Sequence, residues 1–177
     1  MTTYVALLRG INVGGKTPLG MAALRSRLEG LGFASVRTYI NSGNAIFTTD
    51  DPDPRHLEHL IEQELAEHFQ TAIPVLVRTL SQISEVIDSV PAHWFEDRNL
   101  KCNVIFLRQN IEKPSDLEIL PAIEELHCLD DAWLWAARRD SLSRSTMLKL
   151  SRFEIYQQMT VRSLKTTRAI YALMEAA

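Results

Sequence analysis

The sequence predicts an α+β fold whose first half is a ferredoxin-like, split βαβ unit and whose second half partly echoes it. Three observations carry this. Apolar runs and helical spacings in the first half follow the order strand, helix, strand, strand, helix, strand. The stretch Asn41-Ser42-Gly43-Asn44 has the chemistry of a tight turn and lies between two β-prone runs. After an acidic middle, strand and helix patterns recur, without a sequence repeat that would prove duplication.

Taken in order, Tyr4-Val-Ala-Leu-Leu8 predicts a buried strand over residues 3–9. A Gly-rich loop leads to a helix over 19–31, with Met21, Leu24, Leu28 and Leu31 at helical spacing. Pro18 suits its first turn and Gly32 its end. Residues 36–40 and 45–48 read as short strands. Asp53 caps and Pro54 opens a second helix, whose apolar side carries Leu57, Leu60, Ile61, Leu65 and Phe69. Residues 75–79 form the next strand. With the second and third strands expected at opposite edges of the sheet, a two-residue hairpin between them is strained. Either the strand order differs or the hairpin serves the other half.

A third helix is predicted over 81–90, stopped by Pro91, and residues 91–99 form a linker anchored by Trp94 and Phe95. Beyond it, 101–107 reads as strand, 114–126 as helix, 133–136 as strand and 146–158 as helix. A terminal helix over 167–175 is capped by Thr166. The division is a first subdomain over 1–80, a connecting helix and linker over 81–100, and a divergent α+β subdomain over 101–177.

A chain of 177 residues, 46% hydrophobic, builds a core without staples, and Cys102 and Cys128 define no disulfide framework. The first apolar run has no basic residues before it and is too short for a signal peptide or a span, so a soluble, cytoplasmic protein is expected. Net charge is −3 but unevenly spread. Up to Thr49, Arg9, Lys16, Arg25, Arg27 and Arg37 face Glu29 alone, and residues 50–131 are acidic. From Arg138 to Arg168 the balance is basic again, through Arg144, Lys149, Arg152, Arg162 and Lys165. If the two ends meet they form an electropositive face for an anionic ligand; otherwise they are solvated surface.

Residues 10–17, GINVGGKT, match the phosphate-loop pattern G-x-x-x-x-G-K-[ST] at each fixed position. A hairpin straight after the first helix disagrees with that reading, because nucleotide-loop enzymes have parallel sheets whose strands are joined by helices. Asp50, at the end of a hairpin strand, is a poor Mg²⁺ holder. A true ATPase or GTPase is therefore not expected.

Leu7-Leu-Arg-Gly-Ile-Asn-Val-Gly-Gly-Lys16, Met21, Leu24-Arg25, Leu31-Gly-Phe33, Val36-Arg-Thr-Tyr-Ile40 and Ser42-Gly43-Asn44 form a dense, ordered set. It closely resembles a bacterial family known as domain-of-unknown-function family 1697. Toward the C-terminus, Leu148-Lys149-Leu150 and Thr160-Val-Arg-Ser-Leu-Lys-Thr166 resemble two further family motifs. There, Ser163 and Leu164 replace the family's Asn and Trp, which would alter any pocket that motif shapes. The resemblance implies two ferredoxin-like (split βαβ) subdomains in tandem, forming one compact protein. It implies that position 17 is commonly Asn, so that Thr17 completes the nucleotide-loop pattern by accident. It implies no reaction, because ferredoxin-like units host unrelated functions.

The candidate ligand-binding residues fall in three groups. Arg9, Gly10, Asn12, Gly14, Gly15 and Lys16 could cradle an anion with backbone N–H groups and a mobile cation. Tyr39, Asn41, Ser42 and Asn44 could offer hydrogen bonds from the hairpin, or merely cap their own turn. Lys149 and Arg162 could complete the cradle from the second half. The leading expectation is a small phosphorylated or carboxylated ligand in a basic cleft between subdomains. The alternatives are single-stranded nucleic acid on a sheet face, stacked on Trp133 and Trp135 beside Arg138 and Arg139, and a protein-interaction module using the acidic middle. No cofactor, metal or membrane is expected: His56 and His59 lack a third ligand, and Cys102 alternates with Val104 and Phe106 as a core thiol. No residue earns a catalytic assignment.

Overall fold

A computed structural model describes residues 1–13, 18–108, 111–115 and 117–177. It divides into two compact units: Met1–Ser84 with Arg168–Ala177, and Glu85–Thr167. Each carries a four-stranded antiparallel sheet of the same strand order, and together they make two ferredoxin-like units in tandem.

The first unit runs β1 (Thr2–Leu8), α1 (Met21–Gly30), β2 (Ala34–Tyr39), β3 (Asn44–Thr49), α2 (Pro54–Phe69) and β4 (Val75–Thr79), with sheet order β2-β3-β1-β4. The pleat sends Tyr4, Ala6 and Leu8 of β1 to one face, where they pack with Phe47, Val75 and Val77 and with Leu24, Leu28, Leu57, Ile61 and Leu65 of the two helices. Burying each of the leucines contributes about 1.5–3 kcal/mol relative to exposure. Phe33 stacks on Phe47 with ring centroids 4.4 Å apart.

β2 and β3 are neighbours, paired from Ala34↔Thr48 to Tyr39↔Asn44, so the expected conflict between hairpin and strand order does not arise. Their turn is four residues, 40–43, with Ile40 at φ 49 and Gly43 at φ 79. Gly43 is required there: a Cβ would lie 2.7 Å from Leu8 Cβ and 2.6 Å from Ile11 Cδ1.

Gly32, at φ 86, ends α1 as the sequence predicts, and Asp53 Oδ1 accepts from Arg55 N at 2.9 Å to cap α2. The outer edge of β4 is closed by α2. Glu62 accepts from Val75 N and Glu58 from Val77 N, both at 2.9 Å, so carboxylates one helical turn apart meet alternate strand amides.

After β4 the chain forms α3 (Leu80–Asp88) and a short α4 (His93–Glu96), which places Trp94 in a buried site but leaves Phe95 exposed. The second sheet is β5 (Leu100–Leu107), β6 (Glu124–Cys128), β7 (Ala132–Arg138) and β8 (Met159–Ser163), in the order β6-β7-β5-β8. A last helix, α5 (Leu164–Glu175), follows.

Here several expectations fail. The helix expected over 114–126 is absent among the described residues: Pro121 lacks the N–H a helix interior needs, and from Glu124 the chain pairs with β7 as an edge strand. The helix expected over 146–158 is instead part of three consecutive 3-10 helices, Arg139–Arg144, Thr146–Arg152 and Glu154–Gln158, with Phe153 extended between the last two. β8 was not foreseen as a strand, and α5 begins at Leu164 with Ser163 Oγ, not Thr166, accepting the first-turn amide of Thr166 at 3.1 Å.

One correspondence escapes a plain search for repeats. Val77-Arg78-Thr79-Leu80 and Val161-Arg162-Ser163-Leu164 occupy the same strand-to-helix position in the two units. Arg78 lies opposite Val5 and Arg162 opposite Val104. Each arginine is buried and donates Nη1 to the preceding carbonyl, and each Thr or Ser hydroxyl caps the next helix.

Candidate functional site

β1 ends inside the sheet, and the chain leaves it through Arg9, Gly10 at φ 71 and Asn12 at φ 53. Backbone bonds hold this exit. Leu8 N donates to Gly43 O at 2.8 Å and Arg9 N to Pro74 O at 2.9 Å. Asn tolerates left-handed backbone better than other side-chain-bearing residues.

The Asn12 side chain closes the loop. Its Oδ1 accepts from Leu19 N at 2.8 Å, and its Nδ2 donates to Leu19 O at 2.9 Å and to Asn41 O at 2.8 Å. One amide thus joins the two ends of the loop and ties both to the hairpin. This is why α1 starts at Met21 rather than at Leu19, as the sequence suggested: both backbone groups of Leu19 are bonded to Asn12.

Helix starts differ across the fold. α2, α3 and α5 open on side-chain caps from Asp53, Thr79 and Ser163. α1 opens on Gly20 with no side-chain cap, as does the four-residue α4 on Ala92; α1 shares with α2, α3 and α5 the lack of an acidic residue in its first turn. Among the described residues, the leading N–H groups of α1 therefore present positive potential without a side-chain cap.

The hairpin candidates divide by role. Asn44 is fully buried and donates Nδ2 to Tyr39 O at 2.9 Å and to Ser42 Oγ at 3.1 Å, holding the turn. Asn41 is exposed and gives its carbonyl to Asn12. Val13 and Ile40 are exposed apolar residues beside this junction in the chain. Gly14, Gly15 and Lys16 lie outside the described residues.

The structure thus brings Arg9, Gly10 and Asn12 together with Tyr39, Asn41, Ser42 and Asn44 at one end of the first sheet. Lys149 and Arg162 belong to the second unit and sit on different elements. Lys149 is exposed on a 3-10 helix. Arg162 is buried in β8, donates to Thr160 Oγ1 at 2.8 Å and to Val161 O at 2.9 Å, and burial lowers its pKa to about 10.

Trp133 and Trp135 are buried in the core of the second unit, so neither offers a ring to a base. Burial likewise raises the Cys102 thiol to about 11. Among the described residues no group of three or more His, Cys, Asp or Glu side chains is arranged to hold a metal ion. No described helix is long and apolar enough to cross a membrane.

The site that sequence reasoning missed is centred on Glu124. Its carboxylate is buried and accepts from Trp135 Nε1 at 3.1 Å, Leu120 N at 3.1 Å, Thr146 N at 3.0 Å and the Thr146 hydroxyl. Burial alone would raise its pKa. Hydrogen bonds from Thr146, Leu120, Trp135 and Ser145 outweigh that and hold it below the ordinary 4.5. Pro121, three residues before it, was the available signal that a helix did not fit here.

The comparisons agree with this architecture. The chain is similar to a solved structure, the conserved bacterial protein SP0830 from Streptococcus pneumoniae, at 30% identity and a TM-score of 0.85, over 98% of each chain. No curated protein matches it. The family described as protein of unknown function, DUF1697, matches residues 1–132, three-quarters of the length. With the loop, hairpin and sheet order all in place, the chain belongs to the DUF1697 family.

Proposed function

We propose that the first unit binds a small phosphorylated or carboxylated molecule over the start of α1. The observation that carries this reading is the helix start itself. Asn12 draws the loop closed onto Leu19, and α1 then opens without a side-chain cap or an acidic residue. Such an end attracts anions through its N–H groups and dipole, by about 0.3–1 kcal/mol from the dipole alone at an exposed site. Arg9 and Lys16 supply the cations, and Ser42 and Asn41 the polar rim. Asn12 and Asn44 act as scaffold, because their amides are bonded within the protein.

The reading does not extend to nucleotide hydrolysis. β1 pairs antiparallel with both β3 and β4, whereas nucleotide-loop enzymes place this motif after a strand of a parallel sheet. Calorimetric titration with a panel of phosphorylated metabolites tests the proposal. Saturable binding that is lost in an Arg9→Ala, Lys16→Ala double variant supports it; equal weak binding by both proteins overturns it. Mg²⁺-dependent turnover abolished by Lys16→Ala would replace it with an enzyme.

The two units are also read as a tandem duplication, supported by the matched Val-Arg-[Thr/Ser]-Leu junctions. Equivalent cap substitutions, Thr79→Ala and Ser163→Ala, should then each cost about 1 kcal/mol and add in the double variant.

A further inference from the structure

The three 3-10 helices over residues 139–158 carry a second, independent feature. Their middle member is fixed to the sheet through Thr146, whose N–H and hydroxyl both donate to buried Glu124. Ser145 accepts from Met147 N at 3.0 Å and begins that helix. A segment held in this way presents its outward side chains from a defined backbone.

Those side chains are basic. From Arg138 to Gln158 there are five basic residues against Asp140 and the exposed Glu154, in a chain of net charge −3. Arg138 is bonded to Asp140, at 3.2 Å from Nη2 to Oδ2, and Arg139 Nε donates to Arg98 O at 3.2 Å. Arg144, Lys149 and Arg152 are exposed and form no ion pair among the described residues. Lys149 and Arg152 are three apart on one 3-10 helix, so they eclipse and lie about 6 Å apart along its axis. Leu148, between Arg144 and Lys149 in the chain, is 64% exposed.

We propose that this strip binds the backbone of single-stranded nucleic acid without sequence preference. Arg144, Lys149 and Arg152 neutralise successive phosphates, and Leu148 offers an apolar contact to an unstacked base. Exposed cations along one backbone segment, with an exposed apolar residue on an adjoining face of the same 3-10 helix, fit a ligand that carries regularly spaced phosphates beside apolar base surface. The strip lies wholly in the second unit and does not depend on the loop before α1.

Fluorescence anisotropy with a labelled oligothymidylate, at several salt concentrations, tests it. Three neutralised phosphates give a log–log salt slope of about −2, or about fifteen- to twentyfold weaker binding between 50 and 200 mM salt. An Arg144→Gln, Lys149→Gln, Arg152→Gln variant should bring the slope close to zero, whereas Arg9→Ala, Lys16→Ala should leave it unchanged. Leu148→Ser should weaken binding to the oligonucleotide and leave binding to inorganic polyphosphate of similar length unaffected. Absent or salt-insensitive binding, full binding by the triple variant, or equal loss of both ligands in Leu148→Ser overturns the proposal.

Discussion

Asn12 combines two tasks usually divided between residues: it bridges two backbone segments and turns the chain through left-handed space. Replacing it with Ala removes three hydrogen bonds, each contributing about 0.5–1.5 kcal/mol. A loss of roughly 2 kcal/mol is expected in urea denaturation, with faster hydrogen exchange at the Leu19 amide. Unchanged protection of that amide would contradict the role of Asn12 as clamp. Gly43 is under a steric constraint instead. Gly43→Ala forces a side chain into positive φ and drives its Cβ into Leu8 and Ile11, so a loss of at least about 2 kcal/mol is expected on denaturation. At this scale the sequence was legible in its residue types: the Asn, Ser and Gly of the hairpin were recognisable as turn chemistry. It could not reveal that Asn12 bonds Asn41, because that contact depends on the strand order.

Among elements, the clearest dependence is the hold of Glu124 on the 3-10 segment. The folded carboxyl has a pKa below its ordinary 4.5, so its contribution to stability is complete above that value and is lost as pH falls through the folded one. Wild-type stability should therefore decline on acidification below about pH 4.5, and Glu124→Gln should flatten part of that decline while lowering stability near neutrality. Thermal denaturation across pH 3–7 checks both; parallel profiles for the two proteins would contradict the assignment. The edge of β4 gives a second test. Glu58→Ala with Glu62→Ala strips the acceptors from Val75 and Val77, and light scattering should show concentration-dependent self-association through the opened edge. The first unit was readable because its helices carry clean apolar spacing and Asp53-Pro54 marks a start. The second was not, because among its described residues turns and 3-10 helices stand where the pattern has its two helices. Isolated Leu and Ile residues in those segments imitate helical spacing, while the ties that decide the outcome, Glu124 to Thr146 and Trp135, span 22 and 11 residues.

For the whole molecule, the family follows from a short ordered set of residues in the first 47 positions, whereas the strand order does not: the hairpin strands expected at opposite edges are neighbours. The function does not follow so directly, since a ferredoxin-like sheet constrains no chemistry. What narrows it is the contrast among the four longer helices: α1 starts without a side-chain cap, whereas α2, α3 and α5 each have one; the short α4 also lacks one. The most direct test is a ¹⁵N–¹H NMR titration of the intact protein with inorganic phosphate and a small phosphorylated metabolite. The expected result is saturable shifts centred on the amides of residues 13–23, with Arg9→Ala, Lys16→Ala abolishing them. Shifts centred elsewhere, or none at millimolar ligand, would contradict the anion site.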